Sequence, residues 1–230
     1  MTTFYLPEVK DGVTILSPEE SRHAIKVLRL NSGDKIQIID GAGGFYLAEI
    51  MEANQKKTQF HIIEHTQQAL PSHYIHIAIA PTKNIDRIEW FVEKAVEIGI
   101  NEISFVLCQN SERKVLKLDR IEKKAISAMK QSMNAFMPRI NSLDSFENRL
   151  EQISQDGKYI AYVDFDNPQQ LFDIAKENKS HCVLIGPEGD FSSDELALAE
   201  SNGFKKVGLG TSRLRTETAG IIACHTLHMC

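Results

Sequence analysis

Two glycine-containing segments near the carboxyl end of the chain are the strongest candidates for chemistry. The first, Gly186-Pro187-Glu188-Gly189-Asp190, follows an apolar run at residues 181–185 and precedes a helix that begins with Ser192 and Glu195 at the spacing of a capping box. Glycine permits close backbone approach and positive φ, and proline stiffens a turn. Ligands of open α/β sheets bind at the carboxyl ends of strands, so this loop is a candidate ligand site.

The second segment repeats this layout. A β-rich run ending at Gly208-Leu209-Gly210 opens into residues 211–215, and a helix is predicted from about Glu217. Each loop taken singly is more typical of an ordinary turn, and neither matches a dinucleotide fingerprint or a P-loop. Together they predict one pocket with polar backbone from the first loop and apolar side chains, Leu209 and Leu214, from the second.

The elements that position these loops alternate between strand and helix. Strands are predicted at residues 75–80, 102–107, 159–163, 181–185 and 206–209, and helices at 85–99, 119–135, 193–202 and 217–229. Repeated strand-then-helix units indicate a largely parallel sheet covered by helices. Residues 72–230 are therefore predicted to form an α/β domain.

Residues 1–71 have a different rhythm. Short β-rich runs at 13–16, 35–39, 45–50 and 59–63 are separated by turn formers, and one helix is predicted at residues 17–30. Ser17, Pro18 and Glu20 supply an amino-terminal cap, a first-turn proline and capping-box spacing. This part of the chain is predicted to be a small β-barrel domain, with the boundary near residue 72.

Composition excludes several classes of protein. With 42% hydrophobic and 25% charged residues the chain is of ordinary globular composition, which excludes disordered and fibrous proteins. The longest apolar runs fall far short of the roughly twenty residues that span a bilayer, and the first residues lack a secretory signal, so we expect a cytoplasmic protein. The four cysteines and the histidines lack metal-ligand spacing, so we expect no metal, and Cys224 is interpreted as a buried thiol.

Charge is distributed unevenly along the chain. The net charge of −5 argues against indiscriminate coating of nucleic acid. Residues 113–139 nevertheless carry eight basic side chains against two acidic ones, Asp119 and Glu122. This stretch is either a contact surface for a phosphate-bearing partner or a solvated helix face, and the sequence favours neither.

The two loops together resemble the paired carboxyl-terminal signature of the SPOUT methyltransferases. The closer resemblance is to the bacterial family that methylates N3 of a uridine in small-subunit ribosomal RNA. It rests on residues 184–196 and 207–219, and extends to residues 83–87, 93–99, 23–30 and 40–44, which covers nearly the whole chain. The chain departs from the family pattern at Asp190, where a second glycine is usual, at Thr3, where an arginine is usual, and at residues 130–134.

The resemblance implies a PUA-like RNA-binding β-barrel at residues 1–71 and a SPOUT methyltransferase domain with a deep trefoil knot at residues 72–230. It also implies a homodimer, S-adenosylmethionine as cofactor, and ribosomal RNA or the small ribosomal subunit as substrate. Carried over by position, the cofactor pocket would be lined by Leu184, Ile185, Gly186, Pro187, Gly189, Leu209, Gly210, Leu214 and Arg215.

Methylation of uridine N3 requires removal of a proton or stabilisation of the charge that develops on the uracil oxygens. The hypothesis assigns charge stabilisation or RNA orientation to Arg215 and proton acceptance to Glu217 or Glu188. Structural roles remain open for all three: a helix-dipole partner for Glu217, a loop anchor for Glu188 and an ion pair for Arg215. RNA is expected to contact basic side chains in both halves of the chain, namely Arg22, Lys26, Arg29, Lys83, Arg113 and Lys114.

Two alternatives to this function remain open. The chain could be a non-catalytic RNA-binding or ribosome-assembly protein that has kept the fold, and the departures at Asp190 and around Gln131 are the features that suggest it. A SPOUT enzyme acting on tRNA ribose also fits the two loops, although it fits the rest of the chain less well.

Overall fold

The chain forms two compact units. The structure is a computed structural model that describes residues 1–163 and 169–230. Unit 1 comprises Met1–Leu70 and Met129–Met137, and unit 2 comprises Pro71–Ala128 and Pro138–Cys230. The sequence had placed every residue after 71 in the second domain, and the structure differs by assigning Met129–Met137 to unit 1.

Unit 1 is built on a four-stranded sheet in the order β1-β2-β3-β4. The pair β1–β2 is parallel, and the other two pairs are antiparallel. The predicted strand at 13–16 forms only an isolated bridge between Ile15 and Gln59, while β1 was not predicted. The strands are Thr3–Tyr5 (β1), Lys35–Ile39 (β2), Gly44–Glu52 (β3) and Gln59–Gln67 (β4), and a 3-10 turn spans Pro7–Asp11.

The segment Met129–Met137 is joined to unit 1 by backbone hydrogen bonds. The Gly43 amide donates to the Ala135 carbonyl at 2.9 Å, and the Met137 amide donates to the Gly41 carbonyl at 2.9 Å. The buried Asp40 carboxylate fixes the receiving loop, because its Oδ1 accepts from the Gly44 amide at 2.8 Å. Loop and segment therefore pair as neighbouring strands would.

The first helix is shorter than predicted. Ser17 caps it as expected, accepting a hydrogen bond from the Glu20 amide at 3.2 Å. The Glu20 carboxylate does not complete a capping box, because it pairs with Lys130 Nζ at 2.7 Å. After α1 (Pro18–Arg22) the backbone widens into a π-helical turn, His23–Val27, and the left-handed φ of 58° at Arg29 ends the helical path before residue 30.

Unit 2 contains a six-stranded sheet in the order β10-β8-β9-β5-β6-β7, and all of its pairs are parallel. This confirms the predicted α/β class with a largely parallel sheet. Strand β7 was missed because its sequence is mostly polar. The strands are Tyr74–Ile79 (β5), Glu102–Leu107 (β6), Arg139–Ser145 (β7), Gly157–Ala161 (β8), Ser180–Ile185 (β9) and Lys205–Val207 (β10).

Helices pack against this sheet, and two of them approach each other very closely. A Cβ atom added at Gly220 in α7 would lie 2.7 Å from a ring atom of Phe91 in α2. The short helices α4 and α5 were not predicted. The helices after α1 are Ile85–Ile98 (α2), Leu118–Ser132 (α3), Phe146–Gln152 (α4), Leu171–Ile174 (α5), Ser193–Ser201 (α6) and Thr216–His228 (α7), and a 3-10 turn spans Ala175–Glu177.

Candidate active site

The first glycine loop follows β9 and turns tightly. The Asp190 amide donates to the Pro187 carbonyl at 2.9 Å, and the positive φ of the loop falls on Asp190, at 62°. Of the two properties that glycine permits here, Gly186 and Gly189 do not use positive φ. Aspartate tolerates the left-handed region better than most residues, and here its Oδ1 also accepts from the Phe191 amide at 2.8 Å.

The glycines of this loop serve close packing instead. A Cβ atom at Gly189 would lie 3.0 Å from the Asn110 side chain, and one at Gly186 would lie 3.1 Å from the Phe191 ring. The Asn110 amide donates to the carbonyls of Gly189 and Asp190 at 3.2 and 3.1 Å. Sequence reasoning missed Asn110, although it follows the carboxyl end of β6, at the same sheet edge.

The helix after this loop is capped as predicted. Ser192 accepts from the Glu195 amide at 3.2 Å, and Glu195 accepts from the Ser192 amide at 2.8 Å, which completes the capping box. The other oxygen of Glu195 accepts from the Gln109 amide at 2.8 Å. One buried carboxylate therefore fixes both the start of α6 and the loop that carries Asn110.

The second glycine loop is joined to the first. The Thr216 hydroxyl, in the first turn of α7, donates to the Gly186 carbonyl at 3.0 Å. Of the predicted cofactor residues, Leu184, Ile185 and Pro187 are buried, Gly186, Leu209 and Leu214 are half-buried, and Gly189, Gly210 and Arg215 are exposed. The hydrogen bond from Thr216 therefore connects the two loops that the sequence predicted to share a pocket.

A third loop, at residues 82–84 between β5 and α2, also meets the first. The Lys83 amide donates to Glu188 Oε1 at 3.0 Å. The Arg113 guanidinium donates two hydrogen bonds to this loop, from Nε to the Thr82 carbonyl at 2.9 Å and from Nη2 to the Lys83 carbonyl at 2.5 Å. Lys83 and Glu188 border a cleft of about 450 Å³, whose lining also includes Asn84, Arg87 and Glu112.

Glu217 lies at the start of α7 and is 6% exposed. Its Oε1 is 3.7 Å from Arg87 Nε. Its Oε2 is buried and has no hydrogen-bond partner among the described residues. A buried carboxylate oxygen without a donor is costly, and this makes Glu217 a site where a further polar group would be stabilised.

Much of the basic stretch at 113–139 is paired with acidic residues. Arg120 pairs with Asp86 and Glu89, and Lys124 pairs with Glu93 at 3.2 Å. Lys114, Lys117 and Lys123 are exposed, and the described part of the chain gives them no ion pair. The stretch therefore offers fewer free cations than its composition suggests.

The remaining predicted RNA-binding residues differ in availability. In unit 1, Arg22, Lys26 and Arg29 are exposed along the first helical segment. In unit 2, Lys83 Nζ pairs with Glu112 at 2.8 Å, and the two donors that Arg113 gives to backbone carbonyls are engaged. The donors already engaged on Arg113 favour a role in shaping the loop.

The structure also bears on the expectations for Cys224, metal ligands and membrane spans. Cys224 is buried, and burial raises the pKa of its thiol to about 12, as the interpretation of a small buried thiol requires. Among residues 1–163 and 169–230 no group of three or more His, Cys, Asp or Glu side chains is arranged to hold a metal ion. No helix of that same part is both long and apolar enough to cross a bilayer.

Comparison with known proteins identifies the family. Residues 68–228 match the RNA methyltransferase domain, and residues 16–63 match the RNA methyltransferase PUA domain. A probable rRNA-methyltransferase from Porphyromonas gingivalis is similar in structure, with a TM-score of 0.88 and 38% identity over 100% of this chain and 99% of that one. A ribosomal RNA small subunit methyltransferase E from Neisseria gonorrhoeae bound to S-adenosyl methionine has a TM-score of 0.89 and 25% identity over 100% and 97%.

A curated relative agrees with these structures. The ribosomal RNA small subunit methyltransferase E of Mesomycoplasma hyopneumoniae (strain 232) is 28% identical over 226 residues, which are 96% of each chain. The family that the sequence resembled is thus confirmed at the level of the whole chain. The chain belongs to the RNA methyltransferase family and carries the PUA-like domain of that family ahead of its α/β domain.

Proposed function

We propose that this protein transfers a methyl group from S-adenosylmethionine to N3 of a specific uridine in small-subunit ribosomal RNA. Family membership supports an RNA methyltransferase, and the names of the relatives support the small-subunit substrate. The observation that carries the proposal is the Thr216 to Gly186 hydrogen bond at 3.0 Å, which joins the two glycine loops into one site.

The residues of this site fit the cofactor. Leu209 and Leu214 are half-buried, so they offer apolar surface to an adenine ring, and in residues 1–163 and 169–230 a Cβ atom at Gly210 would meet nothing within 4 Å beyond its chain neighbours. When bound, S-adenosylmethionine supplies the electrophilic methyl group. The residues proposed to hold it are Leu184, Ile185, Gly186, Pro187, Gly189, Leu209, Gly210, Leu214 and Arg215.

The contacts favour Glu217 over Glu188 as proton acceptor. Glu188 Oε1 already accepts from the Lys83 amide at 3.0 Å, which suits an anchor of its loop. Glu217 has a buried oxygen with no donor among the described residues. This oxygen can accept the N3 proton directly, or it can accept it through a water molecule that relays the proton. Arg215 is exposed at the amino-terminal cap of α7, where its guanidinium can stabilise charge on the uracil oxygens.

The proposal includes the partners of the enzyme. The RNA-contacting set is proposed to comprise five exposed cations and the half-buried Arg113, which shapes the loop that carries Lys83. The exposed cations are Arg22, Lys26 and Arg29 of the PUA-like domain, and Lys83 and Lys114 of the methyltransferase domain. We further propose a homodimer, a trefoil knot in the methyltransferase domain and a cytoplasmic location, each on the resemblance to the family and on its ribosomal substrate.

Cofactor binding is tested by calorimetric titration with S-adenosylmethionine. The wild type is expected to bind one cofactor per chain, and Gly186→Trp is expected to abolish binding, because even a Cβ atom there lies 3.1 Å from the Phe191 ring. The far-ultraviolet circular dichroism of the variant establishes that it folds. Absence of binding to the wild type would favour the non-catalytic RNA-binding alternative.

Methyl transfer is tested on small ribosomal subunits and on naked small-subunit RNA that lack the modification. Nucleoside mass spectrometry after incubation should reveal 3-methyluridine, whereas a 2′-O-methyl nucleoside would favour the ribose methyltransferase alternative.

Glu217→Gln should lower the rate of methyl transfer by about 10² to 10⁴-fold while leaving cofactor affinity nearly unchanged. Glu151→Gln, an exposed carboxylate of α4, is the matched control. Full activity in both Glu217→Gln and Glu188→Gln would refute a carboxylate base.

A further inference from the structure

Gln170, immediately before α5, lies against the strand end that carries the second glycine loop. The Gly208 amide donates to the Gln169 carbonyl at 2.9 Å, and the Leu171 amide donates to the Gly208 carbonyl at 3.0 Å. Gln170 and Gly208 thereby form a parallel bridge one residue beyond β10. These backbone hydrogen bonds on both sides of Gln170 fix the position of its Cα atom, from which the side chain extends.

The Gln170 side chain reaches over Gly208 to Gly210. Its Oε1 accepts from the Gly210 amide at 2.9 Å. A Cβ atom at Gly208 would lie 2.6 Å from its Nε2 and 2.9 Å from its Oε1, so the carboxamide occupies the space that any other residue at 208 would fill. The contact therefore depends on glycine at 208 as well as on glutamine at 170.

This hydrogen bond restrains a turn to which the described residues supply few other contacts. Gly210 has φ 103°, and apart from its chain neighbours no heavy atom of the described residues lies within 4 Å of its Cβ position, while residues 211–213 beyond it are exposed. Glycine loses more conformational freedom on ordering than any other residue. A turn of this kind is ordered only where a neighbouring group holds it.

We propose that Gln170 is a positioning residue that orders the Gly208–Gly210 turn before the cofactor arrives. The inference rests on the proposed function, because this turn belongs to the proposed cofactor pocket. Ordering the turn in advance removes part of the entropy cost of binding, so Gln170 raises cofactor affinity.

The test combines three substitutions with two measurements. Gln170→Ala removes the acceptor, Gln170→Glu keeps an acceptor oxygen at the same reach, and Gly208→Ala puts a methyl group where the carboxamide lies. Calorimetry gives the Kd for S-adenosylmethionine, and amide hydrogen exchange of the cofactor-free protein reports on Gly210. Gln68→Ala, an exposed glutamine of unit 1, is the matched control.

Gln170→Ala is expected to raise the Kd about fivefold, to speed exchange at Gly210 and to leave kcat at saturating cofactor unchanged, as loss of one hydrogen bond predicts. Gln170→Glu should restore protection and most of the affinity. Gly208→Ala should weaken cofactor binding by displacing the Gln170 side chain. In the double variant with Gln170→Ala the Kd should therefore rise little beyond that of Gln170→Ala alone, so the two losses of affinity are strongly non-additive, as expected for residues in contact.

Two results would overturn the inference: unchanged exchange at Gly210 in Gln170→Ala, or fully additive losses in the double variant. If Gly208→Ala fails to fold, the comparison of alanine with glutamate at 170 still decides the question. Failure of the wild type to bind S-adenosylmethionine would refute the proposed function, but the exchange measurement on cofactor-free protein would still test whether Gln170 orders the turn.

Discussion

Substitution of Gly220 by alanine tests how closely α7 packs on α2. The added methyl group would lie 2.7 Å from Phe91 Cε2, 2.9 Å from Phe91 Cδ2 and 3.1 Å from Ile79 Cδ1. Carbon atoms in contact prefer separations of about 3.5–4.0 Å, so the ring or the helix must move by about 1 Å. Phe91 and Ile79 are both 0% exposed, so neither has solvent into which to move.

Two opposing effects decide the size of the change. Overpacking a buried core costs about 1–3 kcal/mol, whereas replacing glycine by alanine inside a helix gains up to about 1 kcal/mol. We therefore expect the free energy of unfolding to fall by about 1–2 kcal/mol, which lowers the Tm of a chain of this size by about 2–8 °C. Because α7 begins with the residues that contact Gly186 and Arg87, methylation activity should also fall.

The assay is urea denaturation followed by circular dichroism, with scanning calorimetry for the Tm. The control is the double variant with Phe91→Leu, in which the ring atoms that meet the methyl group are gone. The two substitutions should compensate, so the double variant should lose less stability than the sum of the single ones. A Gly220→Ala protein as stable as the wild type would refute the argument from close packing.

Three further predictions follow from contacts in unit 2. Arg113→Lys should lose methylation activity nearly as fully as Arg113→Ala, because an ammonium group cannot reproduce the two hydrogen bonds that the guanidinium donates to the Thr82 and Lys83 carbonyls. Full activity of the lysine variant in a methylation assay would instead indicate that Arg113 contacts a phosphate. Burial holds the pKa of His76 and His181 below the ordinary 6.5, so folding favours their neutral forms. Urea denaturation should therefore show full stability above about pH 6.5 and a loss of stability as the pH falls below it. A urea midpoint that does not change between pH 7.5 and pH 5 would contradict this. Ser192→Ala should lower the free energy of unfolding by about 0.5–2 kcal/mol because it removes the cap of α6, whereas Ser192→Thr should lower it much less. An equal loss of stability in both variants, measured by urea denaturation, would show that the hydroxyl cap is not the cause.

Features set by local sequence could be predicted well. The strand-and-helix rhythm of residues 72–230 indicated the parallel sheet, because both periodicities are local properties. The Ser192–Glu195 capping box and the glycine that ends α2 also follow from short-range backbone chemistry. The pairing of the two glycine loops was predicted because both follow strands of one parallel sheet.

Features that depend on distant partners could not be predicted. Glu20 was expected to cap its own helix, but a lysine 110 residues away takes its carboxylate. The sequence could not show which property of Gly186 and Gly189 the first loop uses. Packing against Asn110 and Phe191 requires their lack of a side chain, and Asp190 takes the left-handed conformation. Strand β7 is recognisable as a strand only through its register with β6.

The assignment of Met129–Met137 to unit 1 has a consequence for the order in which the protein folds. The Gly43 amide donates to the Ala135 carbonyl, and the Gly41 carbonyl accepts from the Met137 amide. A ribosome must therefore translate the intervening Pro71–Ala128 before the amino-terminal domain can complete its hydrogen bonding. These last hydrogen bonds of the first domain can form during synthesis only after Met129–Met137 has emerged, so a fragment ending at Leu70 should be less stable than the same domain in the whole chain.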